Sequence, residues 1–517
     1  MRSIDHLQKY RFESIRPYIL LAAYLLIVGL FYIFTLQSGV NWGDDFAMYI
    51  ALAKNIALGH TYVHTGYIPN PNNPNESPLA YPPIFPLILS PIYAIFGLNI
   101  YAMKITLVVI MLCMLVACYF HAKPRLNDLI TTYLYLGAVG FSPWLWEARG
   151  HIASEIPFMF FLVLSLILAD AAIARREAGS ARWRLFLGCA AGVTAYLAYG
   201  TREVGGLLIP VFVFFDILQN RRISAPAVMI TLTFVVLAAV QRHFVNVEKG
   251  YAEILNMYHW SVFYQHVISY GRLAVGYWGS DGLGRIGAFV IFMMMAPLYV
   301  VGWCKGFTSR KSIYSVFVPA YVFVLVVIPI SAGERYFLPI MPLLLLDIFV
   351  GVKVVGQWLG KEKGRVVAII VAGAVSVSYV AWYRTQDFGP VADGPYSRPS
   401  LQLFAFIRKH TSPNSVFIFR KPRALALYTG RRSSPPPLIG QYATLWRHIE
   451  TIGATYVVVK YGGVQFDTVP ALQDWAEENR RRLELVFRNQ WFDVYRIKTL
   501  VGIRPVPTLK FRNPTSP

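Results

Sequence analysis

The chain has 517 residues, of which 56% are hydrophobic and only 15% are charged, and its mean hydropathy is +0.47. A soluble fold could not bury so much apolar surface, so the composition indicates a protein whose main solvent is lipid. The net charge is +21, but the Lys and Arg residues collect in short links between apolar segments, which is the pattern of membrane-topology determinants. No Gly-rich phosphate loop or zinc-finger spacing accompanies this charge, so nucleic acid is discounted as a partner.

Apolar runs bounded by basic residues predict eleven membrane spans. These lie near residues 17–37, 100–120, 127–144, 156–173, 184–200, 204–219, 226–241, 284–303, 313–331, 336–355 and 366–383. Eleven crossings place the two termini on opposite sides and gather the basic links, such as the one holding Arg221 and Arg222, on one side. The positive-inside rule makes that side cytoplasmic, together with the N-terminus.

The apolar stretch Tyr81–Gly97 is not counted among the spans. It contains four prolines, and counting it as a crossing would move every later basic link to the outer side. We expect a short juxtamembrane or half-inserted helix on the outer face, with a true crossing as the alternative.

Residues 1–383 are thus predicted to form a transmembrane helical domain, and residues 384–517 a small soluble α/β domain on the extracytoplasmic side. Helices are expected at Leu401–Lys409 and Leu472–Arg482. Strands are expected at Ser415–Phe419, Tyr456–Lys460 and Phe492–Ile497. A basic cluster in this tail, which includes Arg423, is either a solvated face or a contact for anionic glycans or lipids.

Two adjacent carboxylates, Asp44 and Asp45, follow the first span at the outer face. In one interpretation, Asp44 caps a helix running from Asp45 to Leu58, and both charges favour the positive N-terminus of that helix. In the other, a carboxylate here deprotonates an acceptor hydroxyl or holds a divalent cation. Both roles are compatible at one helix start.

A second outer loop holds Arg149, His151 and Glu155 directly before the fourth span. Ionisable residues this close to a membrane boundary are costly unless they are solvated or paired. Either the loop is wet and Glu155 caps the span, or these side chains face the same cleft as Asp44 and Asp45. In the second case Arg149 and His151 would recognise an anion or a sugar, and Glu155 would bind acceptor or metal.

Further polar residues fall in the remaining outer loops. Arg202 interrupts an apolar stretch and either pairs with the neighbouring glutamate or faces the cleft. His266 and Arg272 lie in a longer loop whose aromatic residues suit an interfacial belt. His266 and Arg272 themselves could neutralise a phosphate. Arg335 and Tyr336 occupy a tight turn between two spans, where they either contact lipid headgroups or hold the phosphate of a lipid donor.

These segments, in this order, resemble the GT-C superfamily of membrane glycosyltransferases, in particular its bacterial protein O-mannosyltransferase and aminoarabinose transferase branch. The matching pieces are GDDFAMYIALAKNI, YPPIFPLILSPIYAIFG, ARGHIASEIPFMFF, YGTREVGGLLIP and GERYFLPIMPLLLL. The tail from residue 400 resembles the soluble domain of many bacterial members. The fold expected from the resemblance is a mainly α, GT-C-like bundle with a small α/β domain, in a bacterial inner membrane.

The resemblance implies inverting transfer of a sugar from a polyprenyl-phosphate donor to an acceptor, with an acidic residue of the first outer loop as the catalytic group. By position that residue is Asp44 or Asp45. In the aminoarabinose branch the lipid phosphate is held by a lysine, an arginine and a tyrosine, and Arg272 and Tyr336 match the last two loosely. Tyr81 stands where the lysine would precede the prolines, so the donor sugar stays open.

The predicted partners are therefore a polyprenyl-phosphate sugar, membrane lipid, and a glycan, lipid or protein acceptor. A divalent cation is the only candidate cofactor. Two other classes compete. A transporter or flippase of lipid-linked saccharides would place its ionisable residues near the bilayer midplane, whereas here they lie at one face. A surface polysaccharide polymerase or ligase does not predict paired carboxylates after the first span.

Overall fold

The structure is a computed structural model. It describes residues 2–73, 78–174, 180–245, 260–309, 312–328, 333–463 and 470–498. The chain divides into two compact units. The first, the helical unit, contains residues 1–38 and 82–390. The second, the mixed unit, contains residues 39–81 and 391–517, so a segment of the first predicted outer loop is grouped with the tail.

The helical unit is built almost entirely from α-helices connected by short links. In chain order they are α1 (Arg2–Phe34), α3 (Ile84–Phe96), α4 (Ile100–Leu126), α5 (Leu129–Gly140), α6 (Pro143–Gly150), α7 (Glu155–Ile173), α8 (Ala181–Thr201), α9 (Leu208–Asn220), α10 (Ala225–Phe244), α11 (Trp260–Gly276), α12 (Ser280–Ser309), α13 (Ile313–Val327), α14 (Glu334–Phe337), α15 (Met341–Leu359) and α16 (Lys361–Tyr383). The helix α2 (Asp45–Leu58) belongs to the mixed unit.

Eight helices of the described chain are long and apolar enough to cross a membrane. They contain the segments Pro17–Phe34, Ile100–Leu126, Glu155–Ile173, Glu203–Asn220, Ala225–His243, Asp281–Thr308, Glu334–Leu359 and Glu362–Tyr383. The other three predicted spans fall on α5, α8 and α13, of which α5 and α13 are shorter apolar helices. The predicted fold class, a mainly helical multi-pass membrane bundle, is confirmed.

Two segments outside the predicted spans are helical: the proline-rich stretch, for which a short helix was expected, and a predicted outer loop. The proline-rich stretch forms α3, whose 13 residues span about 20 Å, less than the roughly 30 Å of a bilayer core. The longer outer loop predicted around His266 and Arg272 contains α11, a helix of 17 residues with His266 and Tyr270 buried one turn apart. The sequence of α11 lacks the long apolar run on which span prediction depends, whereas that of α3 is apolar and was excluded because of its prolines and the later basic links.

Glycines let neighbouring helices of this unit approach closely. A Cβ atom on Gly192 of α8 would meet the backbone oxygen of Ile230 in α10 at 2.6 Å, closer than a real Cβ contact. Gly302 of α12 and Gly351 of α15 likewise face backbone atoms of the opposite helix. Small residues at such crossings allow the backbone packing that holds helices together in lipid.

The mixed unit contains a five-stranded sheet among its described residues, in the order β2-β1-β3-β5-β4. The strands are β1 (Val416–Ile418), β2 (Arg432–Ser434), β3 (Tyr456–Lys460), β4 (Leu483–Arg488) and β5 (Phe492–Ile497). Strands β1, β2 and β3 are parallel, whereas β5 pairs antiparallel with both β3 and β4. Besides α2, the helices are α17 (Arg398–His410), α18 (Pro422–Thr429), α19 (Leu445–Ile452) and α20 (Pro470–Glu478).

The segment Gly39–Tyr81 is bound into this unit by a buried aromatic residue. Trp42 is 2% exposed, and its ring packs edge-on against Phe404, Phe419 and Phe492. Its indole N–H donates a hydrogen bond of 2.9 Å to Asp393. Because Asp45 follows Trp42 by three residues, this packing fixes the start of α2 against the sheet.

Candidate active site

Asp44 adopts a backbone conformation that residues other than glycine rarely take, with φ 61° and ψ −36° at the N-cap position of α2. Such a conformation costs roughly 1–3 kcal/mol and persists only where the surroundings impose it. The side chain makes no capping hydrogen bond to α2. Instead its Oδ1 accepts a hydrogen bond of 2.9 Å from the backbone N–H of Ala424, in the first turn of α18. The interpretation that Asp44 caps α2 is therefore wrong, because the side chain caps a helix of the tail.

Asp45 is the first residue of α2 and the more exposed of the two carboxylates. Its Oδ1 accepts a hydrogen bond of 2.6 Å from the hydroxyl of Tyr81 and lies 3.4 Å from Nη1 of Arg423. The Asp45 side chain is 29% exposed, whereas Asp44 is 3% exposed. Asp45 thus presents carboxylate surface to solvent while its orientation is fixed by two partners.

Arg423 is the central cation of this group. It is 3% exposed and donates hydrogen bonds to the hydroxyl of Tyr81 at 2.8 Å and to the backbone oxygen of Pro78 at 3.2 Å. Its guanidinium also lies over the rings of Tyr67 and Tyr81. Burial acts to lower its pKa, but the neighbouring tyrosines and Asp44 and Asp45 hold the pKa well above its usual value.

We call Asp44, Asp45, Tyr81 and Arg423 the carboxylate cluster. Burial raises the pKa of the Tyr81 phenol well above its usual value, so Tyr81 is a hydrogen-bond donor to Asp45 at neutral pH. Of the basic cluster predicted in the tail, Arg423 does not belong to a solvated face. The sequence did not reveal its burial or its partner, because Asp45 lies 378 residues earlier in the chain.

A second group of polar residues lies within the helical unit and is organised around Glu155, the first residue of α7. Its Oε1 is 2.6 Å from Nε of Arg335 and 2.8 Å from Nη1 of Arg202. The guanidinium of Arg202 lies over the ring of Tyr336, 4.6 Å from its centroid. We call Glu155, Arg202, Arg335 and Tyr336 the arginine cluster.

The members of the arginine cluster differ in exposure. The side chains of Glu155 and Arg202 are 4% and 11% exposed, but that of Arg335 is 48% exposed. With one carboxylate and two guanidinium groups, the cluster carries a net charge of +1. The structure therefore brings together residues predicted from three separate loops and leaves one cation accessible.

His151 is electrostatically linked to the arginine cluster. Burial, together with the positive charges of Arg335 and Lys104, lowers the pKa of His151 to about 4, and Glu155 acts in the opposite direction. The imidazole is therefore neutral at physiological pH, and it can accept or donate a hydrogen bond without adding charge.

Arg149 takes a different position from the one expected. It is fully buried, donates hydrogen bonds of 2.6 and 2.7 Å to the backbone and side-chain oxygens of Thr35, and stacks on Trp146. These contacts tie α6 to the end of α1. Burial lowers its pKa to about 10, while Tyr32 and Tyr383 act to raise it.

His266 and Arg272 of α11 do not contact the arginine cluster through any described hydrogen bond or ion pair. His266 is 6% exposed and packs near Tyr270. Arg272 lines a cavity of about 270 Å³ together with Asp281 and Glu334. Their predicted contact with a phosphate stays a prediction.

Lys104 of α4 is a buried cation that sequence reasoning overlooked. It is 1% exposed, and its Nζ donates a hydrogen bond of 2.9 Å to the backbone oxygen of Gln37. A lysine four residues into an apolar helix was the available signal, since ionisable residues at such positions require a partner or a function.

The residues that the structure describes do not form a metal site. The described part of the chain contains no group of three or more His, Cys, Asp or Glu side chains placed to hold a metal ion. Asp45 faces the guanidinium of Arg423, whose charge would repel a cation. A divalent cation therefore does not fit the carboxylate cluster as it is arranged.

No protein-family profile matches this sequence, and no curated protein is detectably similar to it. Solved structures, by contrast, share its fold. ArnT from Cupriavidus metallidurans bound to undecaprenyl phosphate is 12% identical, with a TM-score of 0.58 over 93% of this chain and 98% of that chain. The oligosaccharyltransferase AglB from Archaeoglobus fulgidus, in complex with an inhibitory peptide and a dolichol-phosphate, is 12% identical, with a TM-score of 0.57 over 87% and 70%.

An Archaeoglobus fulgidus oligosaccharyltransferase in complex with Zn and sulfate is also similar, at 14% identity and a TM-score of 0.56 over 84% of this chain and 67% of that chain. ArnT and AglB are GT-C membrane glycosyltransferases. The chain therefore has the GT-C fold, and the resemblance found in its sequence is confirmed at the level of the fold.

Proposed function

We propose that this protein is an inverting glycosyltransferase that moves a sugar from a polyprenyl-phosphate donor to an acceptor hydroxyl or amide. The observation that carries the proposal is the arginine cluster, in which a buried glutamate holds two arginines at the ends of membrane helices within a GT-C fold. A lipid-linked donor keeps its phosphate at headgroup depth, so an enzyme that uses it requires cations there.

Arg335 is assigned to bind the phosphate of the donor. Arg202 and Tyr336 are the more deeply placed members of the same cluster and support it. An arginine fork can form two parallel hydrogen bonds to a phosphate, and the exposed Arg335 is the member that can reach one. The cation also stabilises the leaving phosphate as its bond to the sugar breaks. The negative charge of Glu155 offsets the repulsion between the two guanidinium groups.

The polyprenyl chain is assigned to an apolar cavity of about 710 Å³ between α11, α12, α13 and α15. It is lined by aromatic and aliphatic side chains, including Tyr299, Trp303 and Phe323. Phe337, the residue after Tyr336, is also part of the lining. The cavity and the arginine cluster are therefore adjacent along the chain, which suits a ligand with a charged head and an apolar tail.

The base is assigned to the carboxylate pair, and exposure favours Asp45. The acceptor oxygen or nitrogen attacks the anomeric carbon, the bond from that carbon to the phosphate oxygen breaks, and the acceptor proton passes to the carboxylate. A single displacement inverts the anomeric centre and requires one base but no second nucleophilic carboxylate. Tyr81 and Arg423 orient Asp45 in this scheme.

The fold neighbours support a lipid-phosphate donor, because ArnT was solved with undecaprenyl phosphate and AglB with a dolichol-phosphate. A tethered acceptor peptide in another oligosaccharyltransferase structure makes protein one acceptor class to test beside glycans and lipids. One of the similar oligosaccharyltransferases was solved in complex with Zn. No step is assigned to a metal here, because the carboxylate cluster does not fit one.

The proposed location is a bacterial inner membrane, with the N-terminus cytoplasmic and the mixed unit on the outer side. The basic links between helices support this orientation through the positive-inside rule. A topology reporter fused after residue 383 tests it. We expect an extracytoplasmic signal, and a cytoplasmic one would contradict both the orientation and the outer-face site.

The activity is tested with purified protein in lipid vesicles, radiolabelled polyprenyl-phosphate sugars and acceptor extracts. We expect sugar transfer by the wild-type protein and its loss in the Asp44→Asn/Asp45→Asn double variant. Asp474→Asn, at an exposed position on α20, is the matched control and should keep wild-type activity. Unaltered transfer in the double variant would contradict the base assignment, and no transfer with any donor would favour a transporter of lipid-linked saccharides.

A further inference from the structure

A polar cavity of about 180 Å³ lies in the helical unit, apart from the residues assigned to sugar transfer. We call it the basic cavity. Its charged and hydroxyl-bearing lining comes from α4, α12, α13, α15 and the residue before α13, and consists of Arg125, Lys305, Ser312, Tyr314, Asp347 and Lys353. Three of these side chains are cations and one is a carboxylate. The proposed transfer reaction uses none of them.

A hydrogen-bonded framework holds Arg125 at this cavity. Its guanidinium forms an ion pair of 2.9 Å with Asp170 of α7 and lies 2.9 Å from Nδ1 of His121. The hydroxyl of Tyr314 lies 2.9 Å from the same nitrogen. The Nζ of Lys353 donates a hydrogen bond of 2.8 Å to the backbone oxygen of Arg125. Four helices are thereby fixed around one arginine.

The basic cavity lies at the end of the helices remote from the arginine cluster. Glu155 and Asp170 are 15 residues apart on α7, which corresponds to about 22 Å. On α4, Lys104 and Arg125 are 21 residues apart, which corresponds to about 32 Å, close to the thickness of a bilayer core. The cavity therefore lies near the opposite membrane surface.

Topology alone does not account for this arrangement. The positive-inside rule needs only basic residues in the links, as at Arg221 and Arg222, which are both exposed. Arg125 is instead 15% exposed, and Ser312 and Tyr314 beside it are buried. Asp170 pairs with Arg125, and Asp347 is the one carboxylate of the described lining, which also contains Lys305 and Lys353. The sum of these charges is positive.

We infer that the basic cavity binds the phosphate of an anionic phospholipid of the inner leaflet. The phosphate diester of such a lipid offers two oxygens that lysine and hydroxyl donors can bind. The acyl chains of the lipid would extend along the apolar helices. Basic pockets between membrane helices on the cytoplasmic side are suited to such headgroups. The inference does not depend on the transfer reaction, but the choice of leaflet rests on the orientation given under the proposed function.

Lipid retention by the intact protein, measured by native mass spectrometry, tests this inference. Protein is exchanged into mixtures of phosphatidylglycerol and phosphatidylcholine, and binding of each lipid is compared. We expect the wild type to retain phosphatidylglycerol about tenfold more than phosphatidylcholine, in keeping with one or two charge-assisted contacts. Lys305→Gln and Lys353→Gln should each remove most of this preference.

Two controls make the result specific. Arg221→Gln removes an equal charge from an exposed link and should leave the preference unchanged, while Lys353→Arg should retain it. Equal retention of both lipids by the wild type would overturn the inference, as would a preference that survives in both lysine-to-glutamine variants. If soluble glycerol phosphate competes at the concentration of the lipid, the cavity takes a free phosphate ester and the lipid assignment is wrong.

Discussion

The two clusters of charged residues are built with opposite signs. In the helical unit, one buried carboxylate, Glu155, holds two arginines. In the mixed unit, one buried guanidinium, Arg423, is surrounded by two aspartates and two tyrosines. In each cluster the central charge is almost fully buried and one partner of the opposite sign stays partly exposed.

This difference determines what each cluster can bind. The accessible member is Arg335 in the helical unit and Asp45 in the mixed unit, with 48% and 29% of the side chain exposed. An accessible cation suits a phosphate, whereas an accessible carboxylate suits a proton from an acceptor. A buried counter-charge lets each exposed group keep its ionised form and its orientation.

The largest expected effect is on the chemical step. Asp45→Asn should lower kcat by about 10²- to 10⁴-fold, the usual contribution of a general base, with little change in KM for the donor. Asp44→Asn should act mainly through positioning, because Asp44 is bound to the first turn of α18. Single-turnover transfer assays separate the two. If Asp44→Asn abolishes transfer and Asp45→Asn keeps it, the base is Asp44.

A second test compares a buried cation with an exposed one in the mixed unit. Arg423→Gln leaves Asp45 and its neighbours without their central charge and should destabilise the protein by about 3–5 kcal/mol. Arg496→Gln breaks an ion pair with Glu484 whose side chains are 53% and 49% exposed, and should cost only about 0–1 kcal/mol.

Chemical denaturation monitored by tryptophan fluorescence measures both variants, and Trp42 provides a probe within the unit. Equal stability of Arg423→Gln and Arg496→Gln would show that Arg423 is not the central charge that the structure indicates.

A third test addresses the exposed member of the arginine cluster. Arg335→Gln should raise KM for the lipid donor about tenfold or more through loss of a charge-assisted contact, with only a small change in stability. Arg222→Gln, at an exposed basic link, is the control for net charge. An unchanged donor KM in Arg335→Gln would remove this residue from the donor site.

The smallest expected effect concerns histidine in each unit. Burial lowers the pKa of His151 and of His448 to about 4, below the value of roughly 6.5 in an unfolded chain. Between these values the unfolded chain binds more protons, so stability is complete above pH 6.5 and falls as pH drops towards 4. Replacing either histidine by glutamine should flatten the fall of Tm over this range, and a fall as steep as in the wild type would contradict the burial effect.

The sequence predicted several elements closely. Strands β3 and β5 have the bounds expected for them, and each predicted span falls on a helix. These features depend on local hydropathy, on alternation and on the position of charges, all of which are present in short windows. Strands β2 and β4 and helices α18 and α19 were not predicted, since each is short and β2 reads Arg-Ser-Ser.

The candidate site was predicted only in part. Asp44, Asp45, Glu155 and Arg335 were singled out because charges at a membrane boundary require an explanation, but their partners were not identified. Arg149 was expected either to lie in a wet loop or to recognise an anion or a sugar, and the structure shows it buried between two helices that it ties together. Arg423 was assigned to a basic cluster that was either a solvated face or a contact for anionic glycans or lipids, because a basic run in a soluble tail gives no sign of burial.

The sequence by itself thus determined that this is a multi-pass membrane protein and which links between apolar segments carry ionisable residues. Hydropathy and charge act through the nearest solvent, so a linear chain records them. Only the tertiary structure decided that Asp45 faces Arg423 and that Glu155 faces Arg335, pairs separated by 378 and 180 residues. A buried charge is stable only beside a specific partner, and the fold selects that partner.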